Sequence, residues 1–237
     1  MCTVTYLPTG KNSFVLTSNR DEHILRPLAI PPAEYLISNL SLSFPKDPLG
    51  GGTWIALEKT KTVACLLNGA FEPHVRLKEY RRSRGLVLLD FFEFKNGEAF
   101  CQNYDFKNIE PFTLIVVLNN DKKELNEIRW DGDTVHFKNM DAHQSAIWSS
   151  CTLYDKPIAD TRKRWFDEWL ENYQDFEIKN IKEFHQNAGK DDNINGLIMS
   201  RDNGMRTVSI TSIICNSTNS EIHYSDIINN QHFLYRP

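Results

Sequence analysis

The sequence lacks any apolar run near the roughly 20 residues that a membrane-crossing helix requires, and it has no basic segment leading into an apolar one at its start. A cytoplasmic chain without a membrane span is therefore expected. Basic residues are not in excess: the net charge is -4 and the isoelectric point is near 6.0. This speaks against nucleic acid as a partner, because neutralising phosphates takes a basic surface. The cysteines, at 2, 65, 101, 151 and 215, are odd in number and form no C-x-x-C pair, so reduced thiols are expected rather than disulfides. The histidines, at 23, 74, 136, 143, 185, 223 and 232, show neither H-E-x-x-H nor cysteines at zinc spacing, so no metal is expected. No G-x-S-x-G elbow supports a serine hydrolase. Nothing suggests a cofactor. With no linker-like shift in composition and no internal repeat, one domain over residues 1–237 is the expectation.

What is present is ordinary for a soluble globular chain, with 41% hydrophobic and 24% charged residues. The order of elements is hairpin-rich. Residues 1–6 and 14–22 read as two strands around the turn Pro8-Thr9-Gly10-Lys11-Asn12. Pro27 to Pro48 shows no period and reads as irregular connection. A second hairpin follows, residues 53–57 with 62–68, fed by Gly50-Gly51-Gly52. A buried helix is expected over 84–94 with Ser83 as its cap, then strands at 112–118, 125–130, 134–137 and 146–150. Helices are expected over 159–173 and 178–186, and closing strands at 207–215 and 222–225. Bunched helices among hairpins argue for mainly antiparallel sheets, with helices outside one sheet and a second sheet behind.

Chemistry concentrates in the first hairpin. With the turn near Gly10, Cys2 falls opposite Ser18 or Asn19, and Arg20 and Asp21 fall at the same end. Once Met1 is removed, Cys2 offers a thiol and a free α-amine, and an α-amine titrates at about 7.7–8.0, so it can serve as a base near neutrality. A carboxylate such as Asp21 can hold that amine, and an arginine such as Arg20 can favour the thiolate. The plainer reading of Ser18-Asn19-Arg20-Asp21 is a helix cap, yet Pro27 follows too soon for a helix. Asn68-Gly69 reads first as a turn, and otherwise as an oxyanion donor at the end of a rigid strand. The three glycines fit a tight bend or close backbone approach. Arg81-Arg82-Ser83-Arg84 reads as solvated surface, or as contact with an anionic substrate tail.

Met1-Cys2, Asn19-Arg20-Asp21-Glu22, Arg26-Pro27, Gly51-Gly52-Thr53-Trp54, Asn68 and Arg84-Gly85 in this order resemble the NRDE family, also called the transport and Golgi organization protein 2 family. That family is similar to the N-terminal nucleophile hydrolases. The resemblance implies an α+β fold, a four-layer αββα sandwich of mainly antiparallel sheets. It implies catalytic roles for Cys2 as nucleophile, Arg20 and Asp21 as its assistants and Asn68 as oxyanion partner. It implies substrate-binding places for Asn19, Glu22, Trp54, Ser150 and Arg206. Where the family typically has Ser-Asn after the middle strands, this chain reads Ser149-Ser150. The implied activity is hydrolysis of a non-peptide amide, or acyl transfer, on a small-molecule amide, thioester or amphipathic ligand. The alternative is a non-catalytic carrier of a lipid or haem-like molecule on the same fold.

Overall fold

The computed structural model describes residues 3–59, 62–119, 122–173, 176–216 and 218–237. Strands β1 (Thr3–Gly10) and β2 (Ser13–His23) form the first hairpin. Its register puts Thr3 opposite Asn19 and Val4 opposite Ser18. These two positions, expected to face Cys2, are instead taken by residues one and two places further along β1, because the turn falls at Lys11-Asn12 rather than near Gly10; Cys2 itself lies outside the described residues.

The segment expected to be irregular is instead a hairpin of β3 (Ile30–Ile37) and β4 (Leu40–Lys46). Two facts of local chemistry explain it. Ser38 and Asn39 both take positive φ, 47° and 69°, as a tight two-residue hairpin turn requires. Pro31 and Pro32 fall where the register shifts between Ile30 and Ala33, on the edge strand of its sheet, where a missing N–H is tolerated.

The chain continues through β5 (Ile55–Glu58), β6 (Val63–Asn68), α1 (Arg84–Phe91), α2 (Gly97–Asn103), β7 (Phe112–Asn119), β8 (Lys123–Trp130), β9 (Val135–Met140) and β10 (Ala146–Ser149). Then come α3 (Lys156–Asn172), α4 (Ile178–Asn187), β11 (Met205–Cys215), β12 (Ser220–Asp226) and β13 (Gln231–Tyr235). Helix α1 is shorter than the expected 84–94, and α2 and β13 were not expected. Asn96 caps α2 by accepting from the Ala99 amide at 2.9 Å.

Two sheets carry these strands, a six-stranded one in the order β10-β1-β2-β11-β12-β13 and a seven-stranded one in the order β3-β4-β5-β6-β7-β8-β9. Every ladder is antiparallel. Three apolar layers hold them together. Val4, Tyr6, Phe14 and Leu16 of the first sheet meet Ile55, Cys65, Ile115 and Val117 of the second in a central core. Ala64, Leu66, Leu114 and Val116 of the second sheet pack beneath Val87, Leu88 and Phe91 of α1 and Phe100 of α2. Leu7 and Val15 of the first sheet pack beneath Phe166 and Trp169 of α3 and Ile181 and Phe184 of α4. The result is the αββα sandwich. Burying each such side chain contributes roughly 1.5–3 kcal/mol.

The alternation of a strand decides which residues can reach the site. On β1 and β2 the even positions 4, 6, 14 and 16 face the other sheet, while 7 and 15 face the α3–α4 layer.

Candidate active site

That alternation splits the Asn-Arg-Asp-Glu tetrad. Arg20 and Glu22 turn toward the second sheet and line a cavity of about 460 Å³, together with Arg26, Asp47, Trp54, Leu66, Asn68 and most of the stretch from Arg76 to Gly85, Glu79 and Arg81 excepted. Asn19 and Asp21 turn the other way, into the α3–α4 layer. Asn19 is fully buried. Its amide nitrogen donates to the carbonyls of His185 (3.1 Å) and Leu197 (2.7 Å), and its oxygen accepts from His185 Nδ1 at 2.5 Å. Both N–H donors and the oxygen are engaged in joining β2 to α4 and to the loop after it, and Asn19 does not line the cavity.

Asp21 is also buried. Tyr154 donates its hydroxyl to Oδ2 at 2.7 Å, and Thr207 donates to Oδ1 at 2.6 Å. Behind it stands a residue that sequence reasoning missed. Arg162 of α3 is fully buried, lies 3.5 Å above the Tyr154 ring, and donates to Thr3 Oγ1 (2.5 Å) and to the carbonyls of Asn195 (3.0 Å) and Gly196 (2.7 Å). A row from Thr3 through Arg162 and Tyr154 to Asp21 thus supports the first residues of β1. The signal was present in the helical period, since 162, 166 and 169 share a face with buried Phe166 and Trp169.

On the cavity side, Arg20 is 4% exposed and its guanidinium lies 4.6 Å from the Trp54 ring centroid, a cation–π contact. Its carboxylate neighbours stand at 3.6 Å (Glu22) and 3.7 Å (Asp47), beyond hydrogen-bond reach. Burial pulls the Arg20 guanidinium below its usual value, and Glu22 and Asp47 oppose that shift. Asp47 is held below the usual carboxylate range: burial pushes it up, but hydrogen bonds from Arg26 and from the Gly50 and Leu49 amides outweigh it. Arg26 reaches Asp47 at 2.5 Å.

Asn68 ends β6, and Gly69 follows with φ of 79°. A Cβ at Gly69 would lie 2.5 Å from Cys151 Sγ, so only glycine permits this exit. Gly69 also donates its amide to Pro111 O at 2.9 Å. Ser150, expected near the site, does not line the cavity but touches its wall from behind, donating to the Asn68 carbonyl at 2.8 Å. Arg206 pairs across the sheet with Glu22, outside the cavity, and its buried Nε has no hydrogen-bond partner among the described residues. Of the residues expected at the site, Arg20, Glu22, Trp54 and Asn68 share one cavity, Asp21 and Ser150 buttress it, and Cys2 lies outside the described residues.

Glycines bring the second wall close. A Cβ on Gly52 would lie 2.4 Å from the Gly85 carbonyl carbon, and the Thr53 amide donates to Gly85 O at 3.2 Å. The first turn of α1 therefore packs backbone to backbone on the strand leading to Trp54. This explains why Gly-Gly-Thr-Trp and Arg-Gly go together in the sequence. Among the described residues no group of three or more His, Cys, Asp or Glu could hold a metal ion, and no helix is long and apolar enough to cross a membrane.

The fold is similar to that of solved N-terminal nucleophile hydrolases. Two variants of conjugated bile acid hydrolase from Clostridium perfringens each align with a TM-score of 0.61, at 11% and 10% identity, over 99% and 100% of this chain and 92% of theirs. The N-acylethanolamine-hydrolyzing acid amidase ortholog of Caenorhabditis elegans aligns with a TM-score of 0.51 at 12% identity, over 90% of this chain and 92% of its own. No curated protein matches the sequence. The family model described as transport and Golgi organisation 2 matches residues 1–223, and the chain belongs to that family.

Proposed function

We propose that the chain is a cysteine N-terminal nucleophile hydrolase acting on a small non-peptide amide or thioester, with Cys2 as nucleophile once Met1 is removed. The Cys2 sulfur attacks the carbonyl carbon and its proton passes to the Cys2 α-amine. Asn68 holds the developing oxyanion. The amine then protonates the departing nitrogen or sulfur as its bond to carbon breaks, and water releases the acyl group from sulfur by the same route. Asp21 fixes the amine and Arg20 favours the thiolate.

The observation that carries this reading is the placement of Arg20 and Asn68 on one cavity, Arg20 with no side-chain hydrogen bond among the described residues. The amide-hydrolysing neighbours of similar fold support an amide as the substrate class. The test is a thiol-reactive probe with peptide mapping, on protein with and without Met1. Preferential labelling of Cys2 over the other four cysteines, only after Met1 removal, is expected; labelling indifferent to Met1 would sink the mechanism.

A second reading, a non-catalytic carrier, draws on Ser150. Its hydroxyl is committed to the Asn68 carbonyl, so a side-chain amide that the family typically offers there is missing. Ligand binding that survives both Cys2→Ser and retention of Met1, with no turnover of any amide in the processed protein, would favour the carrier.

A further inference from the structure

The cavity is lined by six cations, Arg20, Arg26, Arg76, Lys78, Arg82 and Arg84, against three carboxylates, Glu22, Asp47 and Glu110, in a chain whose net charge is -4. The pairings locate the surplus. Arg20 and Arg26 share Glu22 and Asp47, a balanced set of four. Arg82 is neutralised by a forked contact to Asp90, outside the cavity. Arg76 and Arg84 have Glu110 between them, at 3.7 and 3.3 Å, which leaves one positive charge over. Lys78 has no ion pair among the described residues. Both uncompensated charges therefore stand on the 76–84 wall.

The same wall ends in the N-terminus of α1, whose Ser83, Arg84 and Gly85 face the cavity. Ser83 makes no side-chain cap and the first turn holds no acid. The helix begins to close with the Leu86 and Val87 amides donating to Ser83 O, so the Arg84 and Gly85 amides are without partners among the described residues. Free amides at the positive end of a helix favour an anion. A second, separate sign is Trp54. It lines the cavity, is 4% exposed, and its buried indole N–H has no acceptor among the described residues, an unfavourable state that a ligand acceptor would relieve.

Burial also pulls Arg84 below its usual value, against the opposing pull of Glu110, so a second anion there would be welcome. Arg84 also donates Nη1 to the Pro111 carbonyl at 3.2 Å, yet it stays on the cavity wall, which Arg81 does not. Arg81 turns away and spends its guanidinium on the carbonyls of Lys107 and Asp105. We infer that Lys78, Arg84 and the first turn of α1 form an anion subsite, and that the ligand of this cavity carries a carboxylate or phosphate alongside its acyl group. It rests on the cavity being the substrate site, but concerns binding rather than turnover.

The test uses full-length Cys2→Ser protein, so that chemistry is absent, and isothermal titration with N-octanoylglycine, its methyl ester and octyl phosphate. The expected result is at least tenfold tighter binding of the acid than of its ester, weakening as salt rises. Lys78→Gln, at an exposed position with no ion pair among the described residues, and Arg84→Gln should each lower affinity for the anions at least fivefold and leave the ester unchanged. Whichever anion binds more tightly identifies the headgroup, carboxylate or phosphate, and either result upholds the subsite. Equal binding of acid and ester, or anion binding indifferent to Lys78→Gln, overturns it. Absence of turnover in the processed wild type would count against the hydrolase alone.

Discussion

Ser150 donates its hydroxyl to the main-chain carbonyl of Asn68 across 2.8 Å, tying the segment after β10 in the first sheet to the end of β6 in the second. Thr152 lies 2.9 Å from the same hydroxyl. The candidate oxyanion residue is thus held by its backbone, which leaves its side chain free to face the cavity.

Ser150→Ala should leave the Asn68 carbonyl without this donor. A loss of about 1–2 kcal/mol in urea unfolding is expected, with lower Cys2 labelling in processed protein if the cavity wall loosens. Unchanged stability would mean that water replaces the hydroxyl at no cost.

Tyr154→Phe removes a hydroxyl from a buried carboxylate. Hydrogen bonds to charged groups contribute about 1.5–3 kcal/mol, so the variant should lose roughly that amount by denaturant titration. Because Tyr154 also carries Arg162 on its ring, which phenylalanine retains, the loss should stay below that of Tyr154→Ala.

Gly52→Ala and Gly85→Ala should each be costly, because the atoms met by a new Cβ are backbone, at 2.4 Å for Gly52 and 2.9 Å for Gly85. Overpacking of this kind costs about 1–3 kcal/mol and occasionally more. Gly51→Ala meets nothing within 4 Å, yet its φ of 70° strains it, so a smaller loss is expected there. Thermal unfolding of the three variants ranks them.

The acid limb of stability should carry the mark of His185. Burial, aided by the Arg162 charge, pushes this histidine down to about 3, and its ring is engaged on both sides, with Asn19 and with Thr5 at 2.7 Å. Unfolded, it titrates near 6.5. Between those values the unfolded chain binds a proton that the folded one refuses, so the contribution is complete above about pH 6.5 and is lost as pH falls toward 3. The slope from this one group is at most about 1.4 kcal/mol per pH unit. His185→Gln, compared with wild type by urea titration from pH 7 to 4, should show a shallower fall; parallel curves would mean that the histidine protonates in place.

Much of this fold was legible because its strands alternate and its turns carry recognisable residues, as in the first hairpin and in β5–β6. The β3–β4 hairpin was not, since prolines at 31 and 32 read as breakers until their edge position is known, and Ser38-Asn39 is a weaker turn signal than Asn-Gly. Helix α2 is too short for a period to show. At the site, Arg20, Glu22, Trp54 and Asn68 could be grouped from sequence, but the opposite facing of Asn19 and Asp21 depends on which face of β2 is covered by helices. Arg162 hid among charged neighbours in Asp160-Thr161-Arg162-Lys163-Arg164, where only its spacing to Phe166 betrays it.

The place of β1 in its sheet has a consequence in time. Thr3 lies between Asn19 on one side and Ser149 on the other, so the opening strand cannot gain its second neighbour until the chain has been synthesised past residue 149. Pairings between such distant segments close slowly. Until then β1 is held by one hairpin only, and the removal of Met1 that the proposed mechanism requires would meet the least resistance in that interval.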